Sequence, residues 1–306
     1  QKTKQGAWRP RLFFLESCEN ISVFGLTFRN SPSWNVHPYF SKNIELLSLN
    51  IFNPENSPNT DGIDVESCKN VHISGVHFNL GDDCIALKSC KIYMAKKYRR
   101  SSENIHINNC LMESGHGAVT IGSEMAGGVK NVTVKDCFFR YTDRGLRIKT
   151  RRGRGNLAII DNVVIKNITM DNVLTPFAVN SFYFCDPDGR TEYVQTRTSL
   201  PVDHRTPRIG SIVFEDIVCE NAHIAAAYIL GLPEKKIEEV TMRNVRISFA
   251  QDAVSGEVEM HGDIPIMSKH GIFAANIERL LLENVTIENH VGPELVTENI
   301  SEVEKI

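Results

Sequence analysis

Four short phrases gather the residue types that could do chemistry: Asn59-Thr60-Asp61, Gly81-Asp82-Asp83, Gly115-His116-Gly117 and Arg147-Ile148-Lys149. Singly, each has a bland reading. The first two are good turn sequences, Gly-His-Gly is a flexible turn carrying an imidazole, and Arg-x-Lys on a strand is a solvated face. Their alignment changes the reading. Laying DGIDVES from Asp61 over DCIALKS from Asp83 puts Asp61 and Asp83 in one column. GAVTIGS from Gly117 then sets His116 in the column of Asp82, and RGLRIKT from Arg144 carries Arg147 and Lys149 on the next coil. With coils about 4.7–4.9 Å apart, these groups fall in a patch of roughly 15 Å. Three adjacent carboxylates cannot all ionise freely, so one should hold its proton more tightly. An acid then stands beside a base, the requirement for glycoside hydrolysis.

Calcium held by the aspartates is the competing account; the neighbouring Arg147 and Lys149 argue against a cation there. Arg144, Arg147, Lys149, Arg151, Arg152 and Arg154 form a basic run in a slightly acidic protein, which reads as a site for anions such as sugar carboxylates. A second run, Lys96, Lys97, Arg99 and Arg100, reads as a loop between coils, either solvated or a cleft wall.

What must position these groups is a repeat. NISVFGLTF from Asn20 recurs as NIELLSLNI from Asn43, NVHISGVHF from Asn70, NIHINNCLM from Asn104, NVTVKDCFF from Asn131 and NVVIKNITM from Asn162, with weaker copies from Ser211, Glu239 and Arg279. Apolar residues at offsets one, three, six and eight alternate as in strands, with a turn in the middle. A second strand phrase follows in many coils. The reading is an all-β fold, a right-handed parallel β-helix whose like positions stack in columns. Asn20, Asn43, Asn70, Asn104, Asn131 and Asn162 then form a ladder in a turn. Residues 1–306 read as one domain: 1–19 a leader into the first coil, and 291–306 an acidic tail outside the repeat. With so little chain before Asn20, the solenoid is expected to lack front coils and a cap.

Bulk properties exclude other classes. The 306 residues carry a net charge of −3, which does not suit a nucleic-acid binder. No apolar stretch is long enough to span a membrane, and Gln1 to Pro10 has no signal-peptide core. No Cys/His grouping has zinc spacing. Oligomeric state stays open.

The phrases NTD, GDD, GHG and RIK, in this order on such a framework, resemble glycoside hydrolase family 28, the polygalacturonases. TIGSEMAGGVKNV from Thr120 is similar to the bacterial, exo-acting branch. The resemblance implies hydrolysis of α-1,4-linked galacturonate in pectin, with inversion and without metal or cofactor. It assigns Asp82 as general acid, Asp61 and Asp83 as the pair activating water, His116 as support for the acid, and Arg147, Lys149 and Asn59 as substrate ligands. It also implies action outside the cytoplasm or in the periplasm. A calcium-dependent pectate lyase and a non-catalytic β-helix that binds acidic polysaccharide are the alternative readings.

Overall fold

The computed structural model describes residues 9–306. The strands form a parallel β-helix in which each coil pairs with the next in sequence order. The sheet that matters for function contains Phe13–Glu16, Val36–Tyr39, Ile63–Glu66, Ile85–Lys88, Val119–Ile121, Arg144–Lys149, Thr175–Asn180 and Ala225–Leu230. Its inner column runs Val36, Ile63, Ile85, Val119, Leu146, Phe177, Ala227, and every member is at most 1% exposed. Period-two alternation thus fills the bore with apolar side chains and leaves the alternate residues for the outer face.

The asparagine ladder is present. Asn43 donates to Asn20 at 3.0 Å, Asn70 to Asn43 at 2.9 Å, Asn104 to Asn70 at 3.0 Å, Asn131 to Asn104 at 3.1 Å and Asn162 to Asn131 at 2.9 Å. All six have φ between 53° and 59°. Asparagine tolerates this left-handed conformation better than most residues, so one residue type both turns the chain and ties the coils.

Three expectations are corrected. Residues 291–306 are not outside the repeat: Leu295–Lys305 lies in register on His270–Glu288, with Ile272 facing Leu295 and Ile277 facing Ile300. The acidic residues hid the pattern because they occupy exposed positions of a terminal strand. The segment with Lys96 and Lys97 is a short helix, Ile92–Tyr98, and not a loop. Of the leader, residues 1–8 lie outside the described residues, while Phe13–Glu16 already pairs with Val36–Tyr39. No helix among the described residues is long and apolar enough to cross a membrane.

Candidate active site

The turns entering four consecutive strands of the functional sheet bring the carboxylates together. Backbone N–H bonds run from Asn35 to Asp61, from Gly62 to Asp83 and from Cys84 to Gly117, coil after coil. One oxygen from each of Asp61, Asp82 and Asp83 lies within 4.8 Å of the others. They line a cavity of about 430 Å³ with His116, Arg144, Arg147, Lys149, Trp34, Asn59, Lys88 and Tyr183. A shallow groove of about 490 Å³ lies elsewhere, along the asparagine ladder, but it holds no comparable cluster.

The three aspartates differ in environment. Asp82 is the most accessible, with 18% of its side chain exposed against 6% for Asp61 and 2% for Asp83. It accepts the N–H of Asp83 at 2.9 Å and of Asn59 at 3.2 Å, and His116 Nδ1 lies 3.5 Å from its Oδ1. That contact raises the His116 pKa against the effect of partial burial. Asp83 is clamped: Lys149 Nζ is 2.8 Å from Oδ2 and Arg147 Nη1 3.6 Å from Oδ1. Burial alone would raise its pKa, but Lys149 and Arg147 outweigh burial and hold the carboxyl well below the usual range. Asp61 goes the other way. Burial, with Asp64 alongside, pushes it well above the usual range despite Lys88. The cluster therefore contains one carboxylate held ionised and another inclined to keep a proton.

Space is tight at Gly117: a Cβ there would stand 2.4 Å from Thr120 Oγ1 and 3.0 Å from Asp83 Oδ1, so a larger residue would displace the Thr120 hydroxyl and crowd Asp83.

Arg147 and Lys149 lie on the outward side of their strand. They are only 4% and 7% exposed, because the segments after Asn180 and after Phe249 fold back over this face. Glu259, in the second segment, is fully buried and pairs with Arg147. Burial would raise Glu259, yet Arg147 and Arg144 bring its pKa down to about 2. The basic run also divides. Arg144, Arg147 and Lys149 line the cavity. Arg152 instead binds Glu234 at 2.6 Å and carbonyls of residues 193–198, while Arg151 and Arg154 bind Asp188 and Asp186. These three fasten a loop. The amide oxygen of Asn59 accepts from Arg9 at 2.6 Å, so its backbone N–H, bonded to Asp82, is what serves the cluster.

The sequence reading passed over Lys88, Asp64, Trp34 and Glu259. Lys88 Nζ lies 2.7 Å from Asp64 Oδ1, 3.5 Å from Asp61 Oδ2 and 3.6 Å from the centroid of the Trp34 ring. Burial pushes Asp64 up to about 7 against the pull of Lys88. Both lay in the phrases already aligned, as outward residues of neighbouring strands, so the signal was available. Glu259 sits in a segment without repeat character, and nothing in the pattern marked it. The oxygen spacing of the aspartates is short enough for a cation, but Lys149, Arg147 and Lys88 already supply positive charge at the distances given, which disfavours a metal.

The profile of Glycosyl hydrolases family 28 matches residues 1–260. A probable polygalacturonase of Vitis vinifera is 33% identical over 80% of this chain and 48% of its own length. An endo-polygalacturonase of Pectobacterium carotovorum subsp. carotovorum is 30% identical over 81% of this chain and 54% of its own length. Among solved structures, a hyperthermoactive exopolygalacturonase from Thermotoga maritima superposes with a TM-score of 0.66 at 27% identity, covering 83% of this chain and 55% of that one. The chain spans about half the length of the curated relatives it matches. Matched across 1–260 by the family's own profile, this chain belongs to glycosyl hydrolases family 28.

Proposed function

We propose that the chain hydrolyses α-1,4-galacturonosyl linkages of homogalacturonan by an inverting, metal-free acid/base mechanism. The observation that carries this reading is the division of labour among the carboxylates: accessible Asp82 with His116 at its side, and Asp83 buried and held ionised by Lys149 and Arg147. Asp82 donates its proton to the glycosidic oxygen as the bond from that oxygen to the anomeric carbon breaks. Water held between Asp61 and Asp83 attacks that carbon from the opposite face, and Asp83 takes the proton the water gives up. His116, in its cationic form, favours proton transfer from Asp82. Arg144, Arg147 and Lys149 receive a ring carboxylate on the far side of the cluster. The backbone N–H of Asn59 orients Asp82.

Closely spaced carboxyls are the usual geometry of retaining enzymes, at about 5–5.5 Å. Here water stands between the pair: Asp61 is inclined to keep its proton, and Asp83, with Oδ2 held by Lys149 at 2.8 Å, presents Oδ1 to the water as a base. Inversion follows. A cell-wall polymer as substrate places the action outside the cytoplasm or in the periplasm.

The test is polygalacturonate with chelator present, following reducing ends, ultraviolet absorbance of unsaturated products and, by proton NMR, the first anomer formed. Reducing ends without unsaturation, with the β-anomer first, are expected. Unsaturated products lost on chelation would make the protein a lyase, and an α-anomer first would refute inversion.

A further inference from the structure

The outer face of the functional sheet continues past the aspartates toward the first coil. The register of Val36 on Ile63, Ile63 on Ile85 and Ile85 on Val119 puts Trp34 in the column of Asp61, Asp83 and Gly117, with Asp82 in the adjoining one, and the pairing of Phe13 with Val36 sets Arg11 beside Trp34 one coil earlier. Trp34 is thus two coils, and Arg11 three, from Asp82, about 10 and 14 Å along the axis at the usual strand spacing. Arg11 is exposed. Its guanidinium carbon lies 5.0 Å from the Trp34 ring centroid and 5.3 Å from that of Phe14, and it pairs with no carboxylate among the described residues. The aromatic shelf beneath is itself fixed. Lys88 sits 3.6 Å from the Trp34 centroid, and His37 meets the Trp34 ring edge-on at 5.0 Å. The acids around the shelf are occupied: Glu66 by His37 Nε2 at 3.0 Å, and Asp64 and Asp61 by Lys88 Nζ at 2.7 and 3.5 Å.

A cation held over aromatic rings, with no carboxylate partner among the described residues, suits a carboxylate that arrives from solvent. We propose that Arg11, carried on Trp34 and Phe14, is a further substrate subsite that binds the carboxylate of a uronic acid ring lying on the first-coil side of the scissile bond. The inference rests on the hydrolysis proposed above, and it extends the cleft in one direction: the substrate continues past Asp82 toward the coil of Phe13–Glu16, and longer chains gain a contact that short ones lack.

The experiment measures KM and kcat of wild type, Arg11→Gln and Arg11→Lys on galacturonate oligomers of increasing length, with calorimetric binding of the same oligomers to Asp82→Asn with and without Arg11→Gln. Arg11→Gln should raise KM for long oligomers about tenfold, the worth of one charge-assisted hydrogen bond. kcat should change little, the defect should shrink as the substrate shortens, and Arg11→Lys should fall between. Loss of the same size at every length, or none, would overturn the subsite. An inert wild type would refute the hydrolysis reading alone. Calorimetry would then decide the subsite, which falls if Arg11→Gln leaves long-oligomer affinity unaltered.

Discussion

Lys149 Nζ lies 2.8 Å from Asp83 Oδ2, reaching it from two coils away. Both side chains are under 10% exposed, so each charge depends on the other for solvation. The pair explains how a carboxylate buried beside two others stays ionised, and thereby able to accept a proton.

Removing the ammonium should therefore change the pH profile as well as the rate. In Lys149→Met, Asp83 loses its nearer cation and its pKa rises. The acid limb of kcat/KM then moves to higher pH, and the rate near neutrality falls by about a hundredfold, within the range for general-base catalysis. Lys149→Arg should keep the limb near its wild-type position. A lower rate with an unmoved acid limb would mean that Lys149 only binds substrate.

Glu259 should stabilise the fold in a pH-dependent way. Its pKa is lowered to about 2 in the folded protein, against about 4.3 for an unperturbed glutamate. Its contribution is therefore present above the unfolded value and lost as pH falls toward 2. Glu259→Gln leaves Arg147 without its buried partner and should cost roughly 3 kcal/mol near neutrality. Thermal melts from neutral pH to pH 3 should show the gap between variant and wild type closing on acidification. A gap independent of pH would contradict the assignment.

Asn104 tests the ladder. It donates to Asn70, accepts from Asn131 and has φ of 58°. Asn104→Ala loses both bonds and adds left-handed strain, together about 2 kcal/mol. Asn104→Gly loses the bonds but adopts the conformation freely, so it should be the milder change in a denaturant melt. The reverse order would mean that conformation contributes nothing to the choice of asparagine.

The repeat made most of the fold legible. Asparagine at fixed offsets and alternating apolar residues encode each coil locally, so Asn20 through Asn162 and the columns they predict fall where the structure has them. Asp61, Asp82, Asp83 and His116 were readable for the same reason, since a solenoid converts sequence alignment into adjacency. The loops were not readable. The segments that cover Arg147 and Lys149, and the carboxylate of Glu259 within one of them, arrive by contacts across 112 residues between Arg147 and Glu259, which no local period encodes. The tail from Val291 misled for a different reason: charges such as Glu298 and Glu302 stand at exposed positions of Leu295–Lys305 and interrupt the apolar alternation without preventing the pairing of Ile300 with Ile277.

The role proposed for Asp82 is that of the acid. The most direct measurement is the release of reducing ends from polygalacturonate by wild type and Asp82→Asn side by side, with oligogalacturonide affinity measured on the variant. Loss of activity by a factor of about 10²–10⁴ is expected, with affinity retained. Turnover by Asp82→Asn at the wild-type rate would contradict it.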